Sequence, residues 1–141
     1  MRFYVYSRQK AKRESYRLNE PTLIISITDP ILGPNTFARN SNIIGLCRLQ
    51  FDDVDEDTCS AGDVLMTSED AAKIKDYVLA YKDKVECIIV HCEVGVSRSA
   101  GVMAAIQKYL IGDDSAIFNN DTFSPNKHCY KLMLDAFFGE K

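Results

Sequence analysis

A chain of 141 residues, 46% hydrophobic and 26% charged, is long enough to bury a core of ordinary size, and one domain over residues 1–141 is expected. It has no apolar run of the roughly 18 residues that a membrane span needs, and charges fill the N-terminal stretch where a secretion signal would be apolar, so the expectation is a cytoplasmic protein with no membrane partner. Five cysteines, Cys47, Cys59, Cys87, Cys92 and Cys129, form no C-x-x-C pair and are odd in number, which argues against a disulfide framework and a zinc ribbon.

In chain order, RFYVY (2–6) reads as a strand. RQKAKRESYR (8–17) follows, with five basic residues and one acid; it reads as a solvated loop or helix face that also offers a basic surface to nucleic acid or an acidic partner. TLIISIT (22–28) is a second strand, and ITDPILGPN a loop, because prolines, a glycine and an asparagine interrupt it. IIGLCRLQF (43–51) is a third strand and leads into FDDVDED, which carries five acids and no base. A helix is expected from Ser68 as N-cap, with Ala71, Ile74, Val78 and Tyr81 at helical spacing. ECIIVH (86–91) is nearly all apolar and so should be a central strand buried on both faces. A further helix runs from about Arg98 to Leu110, and a last one has Pro125 in its first turn. Strands alternating with helices predict an α/β domain, a mixed central sheet flanked by helices.

HCEVGVSRSAG (91–101) therefore lies between the buried fourth strand and a helix, where open α/β sheets bind ligands and the helix start presents unpaired N–H groups. Gly95 permits a turn in which the backbone N–H groups of Glu93, Val94, Gly95, Val96 and Ser97 gather around an anion, and Arg98 adds a planar fork of donors for two oxygens. Cys92 sits at the base of this cradle. Amides, a helix start and an arginine favour its thiolate, which is a nucleophile for phosphorus. Arg98 and the loop amides would hold the equatorial oxygens of the transition state, and Ser99 would donate a hydrogen bond to the departing thiolate. His91 reads as a buttress of the loop through its ring nitrogens, in preference to a base.

These residues resemble the signature of the cysteine-based protein tyrosine phosphatase superfamily: His-Cys, five residues, Arg, then Ser or Thr. HCEVGVSRS matches each of those positions, and its Gly-x-Ser-Arg-Ser ending resembles the small dual-specificity branch. The order of elements over roughly residues 43–138 is similar to the family's as well. The resemblance implies a protein tyrosine phosphatase-like fold, a phosphocysteine intermediate, no metal or organic cofactor, and a phosphorylated protein as the partner. It also implies an aspartic acid on a separate loop as general acid and base. Asp52, Asp53, Asp55 and Asp57 are the candidates; the family's pattern of apolar strand then acidic turn selects the second aspartate of LQFDD, Asp53. Some relatives use a second cysteine for redox control, which would pair Cys92 with Cys47 or Cys87.

Two alternatives stand beside protein phosphatase activity. The basic 8–17 segment suits an RNA 5'-triphosphatase of the same fold, and a cradle that had lost turnover would be a phosphate-binding module. The absence of a resolving cysteine close to Cys92 weighs against a thiol oxidoreductase. Glu93, Val94 and Val96 include no lysine to meet the extra phosphates of a phosphoinositide.

Overall fold

The structure, a computed structural model, describes residues 1–139. Its elements are β1 (Arg2–Tyr6), α1 (Arg8–Ser15), β2 (Thr22–Thr28), β3 (Ile43–Gln50), α2 (Ser68–Tyr81), β4 (Cys87–His91), α3 (Arg98–Ile111), α4 (Ser115–Phe118) and α5 (Lys127–Phe138). The four strands form one sheet in the order β1-β4-β2-β3. The α/β class with a central sheet flanked by helices is as expected, with one correction to its detail. All three pairings are parallel, not mixed. The reason lies in the connections: none is a tight hairpin, and each is long enough to carry the chain back to the edge from which the previous strand started.

β2 and β4 are buried along their whole lengths, which explains why their sequences are apolar runs without alternation. On one face, Leu23, Ile25 and Ile27 of β2 and Ile88 and Val90 of β4 pack against apolar side chains of α2, α3 and α5. Each such side chain contributes about 1.5–3 kcal/mol by leaving water. The other face is smaller: Ile24, Cys87 and Ile89 lie under Tyr6, Leu18, Phe37, Ile43 and Leu46. Because the strands are parallel, Tyr6, Thr28, Gln50 and His91 all end at one edge. There β4 feeds α3 on the first face, whereas its neighbour β1 feeds α1 on the second. This divergence opens a crevice at the carboxyl ends of the strands.

Local chemistry departs from the sequence expectation in several places. Of the two forms expected for the basic segment, loop or helix, it takes the helix, α1, capped by Ser7, whose hydroxyl accepts from Lys10 N–H; the departures lie elsewhere. α2 is capped by Thr67 and not Ser68: the Thr67 hydroxyl accepts from Asp70 N–H while the Asp70 carboxylate accepts from Thr67 N–H. That reciprocal box satisfies two donors at once, so it outcompetes the neighbouring serine. Pro125 precedes α5 instead of occupying its first turn, and Asn126 is the cap. The short α4 has no periodic pattern to announce it. Among the described residues, no helix is long and apolar enough to cross a membrane.

Candidate active site

The loop 92–97 hangs from the buried end of β4 and is held from beneath by β1. Cys92 N–H donates to Tyr6 carbonyl at 3.3 Å, and Arg8 N–H donates to Glu93 carbonyl at 3.2 Å. Gly95, with φ +81°, completes the turn; a Cβ there would lie 2.6 Å from Ser7 N and from Tyr6 C, so the close approach of β1 and the left-handed backbone both require glycine.

The Cys92 sulfur sits 3.0 Å from Ser99 Oγ and accepts from Gly95 N–H at 3.3 Å. Cys92 and Ser99 are both buried. The backbone N–H groups of Glu93, Val94, Val96, Ser97 and Arg98 find no protein acceptor among the described residues, which is the condition of an anion-binding nest. Arg98, only 4% exposed, supplies a second sign of a ligand. Its Nη1 donates to Asp29 Oδ1 at 2.6 Å and to Phe51 carbonyl at 2.8 Å, while its buried Nε has no partner. The protein thus anchors one corner of the guanidinium and leaves the Nε–Nη2 edge for an occupant with two oxygens.

His91 is fully buried behind the loop. Nδ1 lies 3.1 Å from Cys92 carbonyl, an acceptor, so Nδ1 carries the proton; Nε2 then accepts from Ser26 Oγ at 2.6 Å. Phe37 packs edge-on to the ring. Burial pushes the imidazole from 6.5 down to about 4, against the opposing effect of its bond to the Cys92 carbonyl. The ring is therefore a neutral strut. A depressed folded-state value makes its contribution to stability fully present above pH 6.5 and lost as pH falls through 4, a difference of about 3 kcal/mol at the limit. Urea unfolding of wild type and His91→Asn should converge in stability as the pH is lowered from 7 to 4. A gap between them that does not change with pH would contradict this.

Of the four aspartates expected near the site, Asp53 alone reaches the loop among the described residues. Its Oδ1 accepts from Ser97 Oγ at 2.8 Å and from Asn126 Nδ2 at 3.0 Å. Asp52 is engaged elsewhere, its carboxylate accepting from Val64 N–H at 2.7 Å. Asp55 closes its own turn by accepting from Asp57 N–H and from Thr58 N–H and Oγ1, and these bonds hold its carboxyl below the usual range. Asp57 offers no side-chain bond toward residues 91–99.

Several partners in this site were absent from the sequence reading. Asp29, one residue past β2, pairs with Arg98; its position at the carboxyl edge of a strand was the available signal. Glu93 turns away from the cradle, accepting from Arg8 Nη1 and Asp29 N–H, both at 3.0 Å, which locks α1 and the 29–34 loop to the cysteine loop. Ser97 spends its hydroxyl on Asp53, leaving its N–H for the cradle. The proposed pairing of Cys92 with another thiol meets a geometric obstacle. Cys87 stands five residues back along the same strand, about 16 Å away. Cys47 is opposite Ile25, itself opposite Val90, so it lies two strand spacings away, about 9.5 Å, before the further advance to Cys92. A disulfide needs Cα atoms within about 7 Å.

No protein-family profile and no curated protein matches the sequence. Solved structures do match the fold. A human tyrosine phosphatase-like serine/threonine/tyrosine-interacting protein superposes with a TM-score of 0.66 at 15% identity, over 94% of this chain and 89% of that one. PTPMT1 bound to PI(5)P gives 0.61 at 14% identity, over 98% and 91%. Human DUSP28 gives 0.60 at 16% identity, over 97% and 92%. With the cysteine loop at the carboxyl edge of a four-stranded parallel sheet, the chain has the fold of the small dual-specificity-like cysteine phosphatases.

Proposed function

We propose that the protein is a cysteine-dependent phosphomonoester hydrolase acting on phosphotyrosine, phosphoserine or phosphothreonine in proteins. The observation that carries this reading is the conjunction of a buried sulfur, five backbone N–H groups without a protein acceptor among the described residues and an unpartnered buried Arg98 Nε, all within residues 92–98. The fold neighbours support it as phosphatases or phosphatase-like proteins.

In the first step the Cys92 thiolate attacks phosphorus, an S–P bond forms, and the ester P–O bond breaks. The leaving oxygen takes the electron pair and a proton from Asp53. Arg98 Nε and Nη2 with the loop amides bind the equatorial oxygens as charge shifts among them. In the second step Asp53, now a carboxylate, takes a proton from water; the water oxygen bonds to phosphorus and the sulfur departs as thiolate, receiving a hydrogen bond from Ser99 3.0 Å away. His91 shapes the loop and takes no proton in either step.

A second reading has one observation in its favour. α1 starts against the cysteine loop through Arg8 and carries exposed Lys10, Lys12, Arg13 and, just beyond its end, Arg17, so a 5'-triphosphorylated RNA end would find cations beside the cradle. The phosphoinositide seen with PTPMT1 finds less support, because Glu93 is committed to Arg8 and no lysine stands in the loop. Rates with a phosphotyrosine peptide, a phosphothreonine peptide and a 5'-triphosphorylated oligonucleotide, each with and without chelator, separate these readings. The expected result is chelator-insensitive hydrolysis with the peptides at least about tenfold ahead in kcat/KM. A preference for the oligonucleotide that fades with added salt would move the assignment to RNA.

A further inference from the structure

Resting on the reading of Asp53 as general acid, we infer that Ser97 and Asn126 form a two-donor clamp deciding which oxygen of Asp53 carries the transferable proton. Ser97 Oγ and Asn126 Nδ2 both donate to the same oxygen, Oδ1, at 2.8 and 3.0 Å. A carboxylic acid places its proton on one oxygen and accepts on the other. An oxygen already receiving two donors is the acceptor, so the neutral acid carries its proton on Oδ2. During the first step the proton passes from Oδ2 to the leaving oxygen, and in the second Oδ2 receives one from water. Without the clamp the proton would be shared between the two oxygens and the carboxyl group, exposed at the end of a strand, would be free to rotate.

Asn126 suits this task because its own placement leaves no slack. Its Oδ1 accepts from Cys129 N–H at 2.9 Å as the cap of α5, which turns the Nδ2 group outward to Asp53 and to Val54 carbonyl at 3.1 Å. Its backbone N–H donates to Ser97 carbonyl at 2.9 Å, and its carbonyl oxygen lies so close to α3 that a Cβ on Gly101 would approach it to 2.5 Å. One residue therefore ties the acid loop, the cysteine loop and the start of α5 into a fixed triangle. The acid is positioned by the loop that holds the phosphate, so proton donor and nucleophile keep register.

The clamp predicts a leaving-group signature. Ser97→Ala removes one donor, and Asn126→Ser removes the other while keeping an oxygen that can cap α5. Each should slow hydrolysis of phenyl phosphate, whose leaving oxygen needs a proton, by about tenfold, while changing 2,4-dinitrophenyl phosphate less than about twofold. In an Asp53→Asn background neither substitution should cost more, because the group being positioned is gone. Equal losses with both esters, or losses that persist in the Asp53→Asn background, would show a merely structural role and overturn the clamp. Asp53→Asn by itself separates failure of the clamp from failure of the acid assignment. If Asp53→Asn shows the leaving-group contrast and the clamp variants do not, the clamp alone fails. If Asp53→Asn shows no contrast, the assignment of Asp53 as acid fails and takes the clamp with it.

Discussion

Cys92→Ser should lower phosphatase turnover by about 10⁴-fold or more while leaving the binding of inorganic phosphate or tungstate within a few-fold of wild type. The asymmetry follows from the geometry. The proposed nucleophile is a single atom that meets one loop amide, Gly95 N–H, whereas the N–H groups of Glu93, Val94, Val96, Ser97 and Arg98 and the Arg98 Nε make no bond to the sulfur. A serine hydroxyl is a far weaker acid than a thiol and has no base poised beside it, since His91 is turned away behind the loop. Single-turnover kinetics and calorimetric titration of the two oxyanions measure the two quantities separately. Wild-type turnover by Cys92→Ser would remove the covalent mechanism. Loss of oxyanion binding together with turnover would mean that the loop had collapsed instead.

Arg98→Lys should cost about 10² to 10³-fold in kcat/KM, the usual loss when a preorganised transition-state donor is removed. An ammonium is a point donor. In the native arrangement one guanidinium serves two partners and keeps an edge free: its Nη1 meets both Asp29 and Phe51 carbonyl, and its remaining edge is open. A lysine can satisfy Asp29 or the phosphate, and cannot span both in the same plane. Because the charge is retained against Asp29, the folded state should be disturbed far less than by Arg98→Met, which leaves the half-buried Asp29 carboxylate without its cation. Thermal unfolding of both variants distinguishes the catalytic loss from a folding defect. Activity of Arg98→Lys near that of wild type would place phosphate recognition in the amides alone.

The legible parts of this molecule share a physical property: they depend on residues close together in the chain. Strands β2 and β4 are visible because burial on both faces demands unbroken apolar runs, and β4 followed by a glycine-containing turn and a helix start is a local pattern. The atoms of the cysteine loop are likewise close neighbours along the chain, so Cys92, Gly95, Arg98 and Ser99 could be assembled from spacing alone. The α1 helix was harder to read, since a short basic segment with only Ala11 and Ser15 buried carries little apolar periodicity.

Only the tertiary structure decided what the loop leans on. Asp29 is 69 positions from Arg98, Ser26 is 65 from His91, and Asn126 is 73 from Asp53. No local propensity reports such pairings, because a hydrogen bond between distant residues is set by how the strands are ordered and how helices settle on the sheet. The same holds for the surroundings of the candidate acids: Asp52, Asp53 and Asp55 are chemically alike and differ in which backbone or side chain meets each one, and Asp53, which the strand-then-acidic-turn pattern already selects, is the one that meets Ser97. Parallel pairing also belongs to this class, for it depends on the direction in which each long connection returns. By itself, the sequence placed Cys92, Gly95, Arg98 and Ser99 together at one loop and helix start, since residues adjacent in the chain create that arrangement. The supports that give Arg98 its free edge and Asp53 its place came from the fold, which brings remote side chains within about 3 Å of one another.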